Sequence, residues 1–168
     1  MLFEDRIFYH MYPLGLCGAP ESNDSGPLFQ KEEGAVFAVG NEWIDHMKDL
    51  GFSGVYIGPL FESSTHGYDT RDYRRVDRRL GNNEGFRKWV AACHEQGIKV
   101  VVDGVFNHTG REFPAFQNLQ EQKWDSWGKD WYCQVDFNGT SPLGDPFSYE
   151  SWRGYPELPR LNLKNPAV

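Results

Sequence analysis

Three polar residues with the chemistry to bind or transform a ligand lie at the end of a short apolar run. Asp103, Asn107 and His108 follow residues 99–102, which read Lys-Val-Val-Val. A β-branched run of this kind, bounded by glycine and polar residues, predicts a buried strand, here over residues 99–105. In parallel α/β sheets the side chains that do chemistry gather where the strands end, so a site is expected here.

Two of these side chains also have a structural explanation. A carboxylate inside a buried strand needs a partner, most simply an arginine, so an ion pair is favoured over catalysis for Asp103. His108, just past the strand, could donate a hydrogen bond to a substrate hydroxyl. A lone histidine at such a position is more often a structural residue whose hydrogen bonds are made within the protein.

A second candidate group is the sequence His66-Gly67-Tyr68-Asp69, in the loop that follows a predicted strand over residues 54–57. Tyr68 could stack on a sugar ring, and Asp69 could orient a neighbouring cation or hydroxyl. On this motif alone, an ordinary turn with a half-buried tyrosine is the other explanation. Tyr12 ends a third predicted strand, over residues 6–12. If the strands are parallel, Tyr12, Tyr68 and His108 converge on one rim, which is stronger evidence than any of them alone.

Helices separate these strands in the predicted element order. A loop is predicted over residues 14–34. Asn41 is a plausible N-cap for the first helix, and Gly51 ends that helix. Asn82 or Asn83 caps the second helix, which ends at Gly97 and carries Cys93 on its apolar face. The order strand, helix, strand, helix, strand predicts an α/β fold with parallel strands and right-handed crossovers.

The alternation stops after His108. Residues 111–163 contain many Trp, Gly, Pro and Asn residues and little periodicity, and a structureless loop of that length is uncommon in a compact domain. Asn165-Pro166 has the form of a helix start. We therefore predict three segments, which are the first part of an α/β domain over 1–108, a small inserted domain over 109–163, and the start of a helix over 164–168.

Composition excludes several classes of protein. The net charge of −7 over 168 residues argues against a nucleic-acid-binding face. The acidic N-terminus and the lack of a long apolar run predict a cytoplasmic protein without membrane partners. Three cysteines, distant and odd in number, do not form a disulfide framework. Aromatic residues make up 15% of the chain, which indicates either a large core or aromatic faces that line a carbohydrate groove.

The sequence stretches that carry these candidates resemble a known family. In chain order they are Tyr9–Pro13, Pro59–Tyr73, Val76-Asp77 with Leu80-Gly81, and Asp103–Thr109. Together they resemble the N-terminal part of the α-amylase family of glycoside hydrolases (GH13). Leu158–Asn162 is similar to a stretch found in the cyclomaltodextrinase, neopullulanase and maltogenic amylase group.

The resemblance implies part of a (β/α)8 TIM barrel, with its first three parallel strands, two helices and a small domain inserted after strand three. A complete barrel typically needs roughly 250 residues. Retaining hydrolysis uses two carboxylates, and the family places its nucleophile after strand four, its acid after strand five and a third Asp after strand seven. No residue here matches these three. The chain is therefore expected to contain no catalytic residue and to be inactive alone.

The resemblance also implies roles for individual residues. Tyr68 would stack on the sugar before the scissile bond, His108 would bind a hydroxyl of that sugar, and Tyr12 and Asp69 would belong to the same substrate-binding pocket. Asp103 would pair with an Arg of a later strand, and Asn107 would hold the base of the inserted domain. In some relatives that Asn helps to bind calcium, but Arg160 stands where other members carry Asp, so neither a metal nor another cofactor is expected.

The expected parent protein is a hydrolase or transglycosylase of α-1,4 or α-1,6 glucosidic bonds in an α-glucan or maltooligosaccharide. Two alternatives remain open, which are a non-catalytic α-glucan-binding module and a truncated chain without a function of its own. The outer strands of a partial barrel would have open edges, and such edges invite association. Self-association, or association with the missing barrel half, is therefore expected.

Overall fold

Three strands form a parallel sheet in this computed structural model, which describes residues 5–23 and 35–168. They are β1 (Phe8–Met11), β2 (Gly54–Ile57) and β5 (Lys99–Val102), in the spatial order β1-β2-β5. Tyr9 lies opposite Val55, and Val55 lies opposite Val100. The predicted α/β class with three parallel strands is confirmed.

The helix between β2 and β5 follows its local sequence signals closely. This helix, α3 (Asn83–Glu95), begins where the side-chain oxygen of Asn82 accepts a hydrogen bond of 2.8 Å from the Gly85 N–H. That bond satisfies one of the N–H groups that a helix start leaves unpaired. Gly97 then turns the chain with a φ of +75°, a conformation that glycine adopts without steric cost.

The preceding helix, α2 (Ala35–Asp49), begins earlier than its sequence predicts. Asn41 therefore lies inside the helix and is not its N-cap, which corrects the predicted start. Asn in a helix interior costs only about 0.7 kcal/mol relative to Ala, so a helix-compatible run before it outweighs the capping signal. The predicted loop before α2 also contains one helical turn, α1 (Pro13–Leu16), and its residues 24–34 lie outside the described residues.

Two strands occupy the region that was expected to be a long polar loop. They are β3 (Phe61–Ser63) and β4 (Thr70–Val76), and they form a separate antiparallel pair. Their sequences, Phe-Glu-Ser and Thr-Arg-Asp-Tyr-Arg-Arg-Val, are too short or too charged to give a clear strand signal.

The third parallel strand is shorter than expected, which changes the position of Asp103. Strand β5 ends at Val102, and the Asp103 N–H makes the next bond, of 2.9 Å, to the Ile57 carbonyl. Asp103 therefore lies after the strand and is half-buried, which corrects the expectation of a carboxylate inside a buried strand. Gly104 follows at once, and glycine weakens a strand.

The chain divides into two compact units. The first comprises residues up to Glu62 together with Tyr73–Gly104, and the second comprises Ser63–Asp72 and Val105–Val168. The predicted segments over 1–108 and 109–163 stay a prediction, since this division falls at 104–105 and also assigns Ser63–Asp72 to the second unit. No helix in the described ranges is long and apolar enough to cross a membrane.

The core of the first unit lies between the parallel sheet and the two longer helices. Cys93 is fully buried there, as expected, and burial raises the pKa of its thiol to about 12. Asp77 and Arg79 form a buried ion pair of 2.8 Å. Other fully buried core residues described in this unit are Met47, Val55, Ile57, Leu60, Leu80 and Ile98.

The second unit has its own apolar core around one helix, α4 (Pro114–Gln122). Three 3₁₀ turns follow, over Lys123–Asp125, Lys129–Trp131 and Trp152–Gly154. The segment over 164–168 forms turns, although the Asn165 side chain accepts a bond of 3.0 Å from the Ala167 N–H as an N-cap would. The fully or nearly buried core residues are Ala115, Phe116, Leu119, Tyr132, Phe147 and Leu161.

Candidate functional site

His108 is fixed by backbone pairing within the second unit. It forms an antiparallel β-bridge with Arg160. On either side, the Thr109 N–H donates to the Pro159 carbonyl at 3.1 Å, and the Asn107 carbonyl accepts from the Leu161 N–H at 2.9 Å. The His108 side chain is 95% buried by this arrangement, so its ring has a defined environment.

Both nitrogens of the His108 ring contact protein groups. Nε2 lies 3.1 Å from the Tyr68 carbonyl oxygen, and Nδ1 lies 3.3 Å from the Asn107 side-chain nitrogen. A carbonyl can only accept, so the bonding pattern assigns the proton to Nε2 and leaves Nδ1 to accept from the Asn107 amide. A hydrogen bond from His108 to a sugar hydroxyl stays a prediction. To make it, the Nε2–H group would have to donate to the hydroxyl as well as to the Tyr68 carbonyl, or to give up its bond to that carbonyl.

Burial lowers the pKa of His108, although the bond to the Tyr68 carbonyl acts in the opposite direction. The unfolded chain therefore takes up a proton at a higher pH than the folded chain. The contribution of His108 to stability is complete above about pH 6.5 and is lost as the pH falls below that value.

Replacing His108 with Gln is therefore expected to flatten the pH dependence of unfolding below pH 6.5, by at most about 1.4 kcal/mol per pH unit. Urea unfolding between pH 5 and pH 7.5 measures this slope. A slope that is equal in wild type and in His108→Gln would contradict the assignment.

Tyr68 presents an exposed ring from a fixed backbone. Tyr68 as a residue is 44% exposed, while its N–H donates to His66 Nδ1 at 3.1 Å and its carbonyl contacts His108. The rings of His66 and Tyr68 have centroids 6.0 Å apart. An exposed aromatic face on a fixed backbone can stack on a sugar ring with little loss of conformational freedom.

Asp69 is buried directly beside this tyrosine. Its Oδ2 accepts a hydrogen bond of 2.8 Å from the Thr65 hydroxyl, and its Oδ1 lies 3.6 Å from His66 Nδ1. Within the described ranges, Oδ1 has no hydrogen-bond partner. The Gly110 N–H donates to the Thr70 carbonyl at 2.8 Å, and a Cβ at Gly110 would overlap the Asp69 carbonyl. The segment carrying Tyr68 and Asp69 is thus packed against the chain that follows His108.

The structure brings four of the predicted site residues together in the second unit. These are Tyr68, Asp69, Asn107 and His108. Arg160 lies on the segment that pairs with His108. Its positively charged guanidinium forms an ion pair with the Glu150 carboxylate. The backbone carbonyl and the side-chain amide of Asn107 both bond to protein groups, which is consistent with a structural role. That Asn107 holds the base of the inserted domain stays a prediction.

Two predicted site residues lie in the first unit. Tyr12 is 39% exposed and precedes α1, where its carbonyl accepts a bond of 3.0 Å from the Leu16 N–H. Asp103 follows β5, and its pairing with an Arg of a later strand stays a prediction. The convergence of Tyr12 with Tyr68 and His108 on one rim likewise stays a prediction.

Two aromatic residues beside the site were not predicted from the sequence. The Trp152 ring lies 5.4 Å from the His108 ring, and Tyr155 stacks on Trp152 with ring centroids 6.0 Å apart. Tyr155 also lines a cleft of about 470 Å³ in the second unit. The only local signal for them is the turn sequence Trp-Arg-Gly-Tyr, which says nothing about a contact with His108. The cleft is lined by Ser64, Thr65, His66, Asp69, Arg111, Glu112, Tyr155, Glu157 and Leu158.

Comparisons with known proteins agree with the fold. The family described as "Alpha amylase, catalytic domain" matches residues 39–168. A cyclomaltodextrinase of Geobacillus thermopakistaniensis is 39% identical, and an intracellular maltogenic amylase of Bacillus subtilis is 36% identical, each over 98% of this chain. The chain spans 29% of the length of each of these two curated relatives.

A solved structure shows the same relationship in three dimensions. The cyclic α-maltosyl-(1→6)-maltose hydrolase of Arthrobacter globiformis superposes with a TM-score of 0.78 at 29% identity, over 97% of this chain and 39% of that chain. The expected resemblance and fold class are thereby confirmed. Since the family match covers residues 39–168 and the relatives match nearly the whole sequence, this chain belongs to the α-amylase family of glycoside hydrolases.

Proposed function

We propose that this chain supplies part of the sugar-binding pocket of a retaining glycoside hydrolase that acts on α-1,4 or α-1,6 bonds in maltooligosaccharides or cyclodextrins. The observation that carries the proposal is the exposed Tyr68 ring, whose backbone carbonyl is held by the buried His108. The named relatives, a cyclomaltodextrinase and a maltogenic amylase, support the choice of substrate class.

The chemistry of the pocket matches a neutral sugar. A glucose ring offers C–H faces to an aromatic side chain and hydroxyl groups to acceptors around it. Tyr68, which is 44% exposed, provides the aromatic face. A net charge of −7 does not repel an uncharged ligand.

We further propose that the 168-residue chain binds sugar without hydrolysing it. Retaining hydrolysis needs two carboxylates about 5–5.5 Å apart, one as nucleophile and one as acid and base. Three carboxylates around the site already bind protein groups: Asp69 accepts from Thr65, Glu150 accepts from Arg160, and Glu112 accepts from Arg71 at 2.5 Å. They are therefore poor candidates for either role.

Two further expectations belong to this proposal. An intracellular location is supported by the relative named an intracellular maltogenic amylase. Self-association, or association with the rest of a barrel, is supported by the sheet order, in which β1 and β5 are the outer strands of the three described. Light scattering across a dilution series tests the association, and a monomer at every concentration would contradict it.

Replacing Tyr68 with Ala is expected to weaken the binding of maltotriose and of β-cyclodextrin about tenfold, because the apolar face under the sugar is removed. Titration calorimetry measures the affinities. The exposed Trp127, replaced with Ala, is the matched control in the same unit and should bind as wild type does.

Release of reducing sugar from the same two ligands tests the rest of the proposal. Binding by wild type without turnover is the expected result. Turnover by the chain would mean that its own carboxylates do the chemistry, and no binding at all would contradict the proposed pocket.

A further inference from the structure

We propose that Trp152 is a positioning residue of the proposed sugar-binding pocket, because its ring holds the His108 imidazole in the plane from which it bonds to the Tyr68 carbonyl. Trp152 acts through His108 and does not itself contact the sugar. The inference rests on the proposed function, since it explains how the exposed Tyr68 ring is kept in place. It also gives a role to a tryptophan that the sequence motifs do not include.

Backbone pairing brings Trp152 to His108 from a distant part of the chain. Arg160 forms an antiparallel bridge with His108 on one side, and the adjacent Pro159 forms an antiparallel bridge with Ser151 on the other. Trp152 follows Ser151 directly, and its ring centroid lies 5.4 Å from that of His108 at an interplanar angle of 34°. Because bridges fix the backbone on both sides of this contact, the two rings meet in a defined arrangement.

Other contacts hold the Trp152 ring in place. The guanidinium carbon of Arg153 lies 5.0 Å from the ring centroid, within the range of a cation–π interaction. The Tyr155 ring stacks on it at a centroid distance of 6.0 Å and an interplanar angle of 27°. The Trp152 backbone N–H donates to the Leu158 carbonyl at 2.9 Å. A side chain that is itself held by packing can keep a neighbouring functional group in a precise position.

Trp152 lies outside the apolar core of its unit. The core around α4 does not include it, and the residue is 37% exposed. Of its ring partners among the described residues, Arg153 and Tyr155 are exposed, whereas His108 is 95% buried. The packing that Trp152 provides is therefore directed to the histidine and not to the core.

The His108 imidazole needs such a support. Rotation about the bond that joins a histidine ring to its Cβ is not confined to sharp minima. Both hydrogen bonds of the ring, at 3.1 Å from Nε2 to the Tyr68 carbonyl and at 3.3 Å from Nδ1 to the Asn107 amide, depend on the orientation of its plane. The flat face of Trp152 restricts this rotation and so favours the orientation in which both bonds are made.

The effect reaches the sugar through the backbone of Tyr68. This backbone is held at its carbonyl by His108 and at its N–H by His66 Nδ1, at 3.1 Å in each case. If the bond from His108 weakens, the segment that carries the Tyr68 ring can adopt other positions. The affinity for sugar then falls, because the pocket is in its binding-competent form for a smaller fraction of the time.

Hydrogen exchange and titration calorimetry of the 168-residue chain test the inference. NMR at constant pH measures the rate at which the His108 Nε2–H proton exchanges with solvent, and the spectrum of His108→Gln assigns that proton. We expect Trp152→Ala to raise this rate at least about tenfold. We also expect it to weaken maltotriose binding about fivefold. Trp152→Phe keeps a flat ring and should stay within about twofold of wild type in both measurements.

Phe147→Leu is the control for a general loss of stability. Phe147 is fully buried in the core around α4, and its ring contacts those of Phe116, Phe137 and Tyr149. The substitution removes core packing without removing a contact of His108. It should lower the free energy of unfolding and leave both the exchange rate and the affinity within about twofold of wild type.

The outcomes separate the two proposals. If wild type does not bind maltotriose, the proposed function fails and this inference fails with it. If wild type binds and Trp152→Ala binds equally well, only this inference is overturned. Equal exchange rates in wild type and Trp152→Ala also overturn it, because a lower affinity would then not act through His108. Should Trp152→Ala fail to fold, Trp152→Leu takes its place, since leucine keeps part of the apolar volume without the flat ring, and the same outcomes decide.

Discussion

Replacing Arg111 with Met is expected to lower the free energy of unfolding by about 3–5 kcal/mol. Arg111 donates to both carboxylate oxygens of Asp145, at 2.6 and 2.9 Å, and to the Tyr149 hydroxyl at 2.7 Å. Asp145 is buried, so removing the guanidinium leaves a negative charge without its counter-ion.

The pH dependence of the Arg111→Met variant provides a second measurement. Burial acts to raise the pKa of Asp145, but hydrogen bonds from Arg111, Ser141 and Gln120 outweigh it and lower the pKa to about 2. In wild type the stabilisation from Asp145 is therefore complete above about pH 4 and is lost as the pH falls towards 2. Without Arg111 the pKa should rise, so the difference in stability between variant and wild type should shrink in acid.

Urea unfolding between pH 3 and pH 7 measures both effects. The matched control is Arg87→Met, because Arg87 forms an exposed ion pair with Glu84 on the surface of α3. Exposed pairs contribute about 0–1 kcal/mol, so this control should be nearly as stable as wild type. An Arg111→Met variant no less stable than the Arg87→Met control would contradict the importance of the buried pair.

Replacing Gly110 with Ala is expected to cost about 2–3 kcal/mol of stability and to weaken maltotriose binding. A Cβ at this position would overlap the Asp69 carbonyl group and come within 3.3 Å of the Thr70 carbonyl oxygen. These are backbone atoms that cannot rotate away, so the segment carrying Tyr68 and Asp69 must shift. The expected loss of stability therefore comes from close packing at Gly110 and not from the backbone conformation of this residue.

Chemical unfolding and calorimetry measure the two effects of Gly110→Ala. Gly58→Ala is the matched control for stability, because the nearest atom to its Cβ would be the Met11 carbonyl oxygen at an ordinary contact distance of 3.4 Å. If Gly110→Ala unfolds at the same denaturant concentration as Gly58→Ala, the chain following His108 does not hold the segment carrying Tyr68 and Asp69 as described.

Local signals in the sequence were sufficient for some elements and not for others. The capping bond of Asn82 and the left-handed glycine at Gly97 act within a few residues. The sequence therefore predicts α3 with its C-terminal end at Gly97 and its cap at Asn82 or Asn83, of which the structure has Asn82. The start of α2 was wrong because an Asn at position 41 is compatible with both a cap and a helix interior. The pair β3 and β4 was missed because its strands are short, charged and stabilised by pairing with each other.

The candidate site shows the same division between local and distant information. Tyr68 and His108 were singled out because each follows a predicted strand, and the second unit does bring them into contact. Trp152 and Tyr155 were not, because the contact of Trp152 with His108 joins positions far apart in the sequence and follows no period. No rule based on neighbouring residues could have placed that ring beside the histidine.

The two units interleave along the chain, and this affects how the second unit can form and be exchanged. Its residues 63–72 and 105–168 are separated by residues 73–104, which belong to the first unit. The surface that contains Tyr68, Asp69 and His108 cannot be completed during synthesis until Val105 and the following residues have emerged. Its formation then has to close a loop over the intervening segment. Recombination that exchanged 105–168 alone would transfer His108 and Trp152 without Tyr68 and Asp69. Residues 63–72 and 105–168 would therefore have to be exchanged together for this surface to be transferred intact.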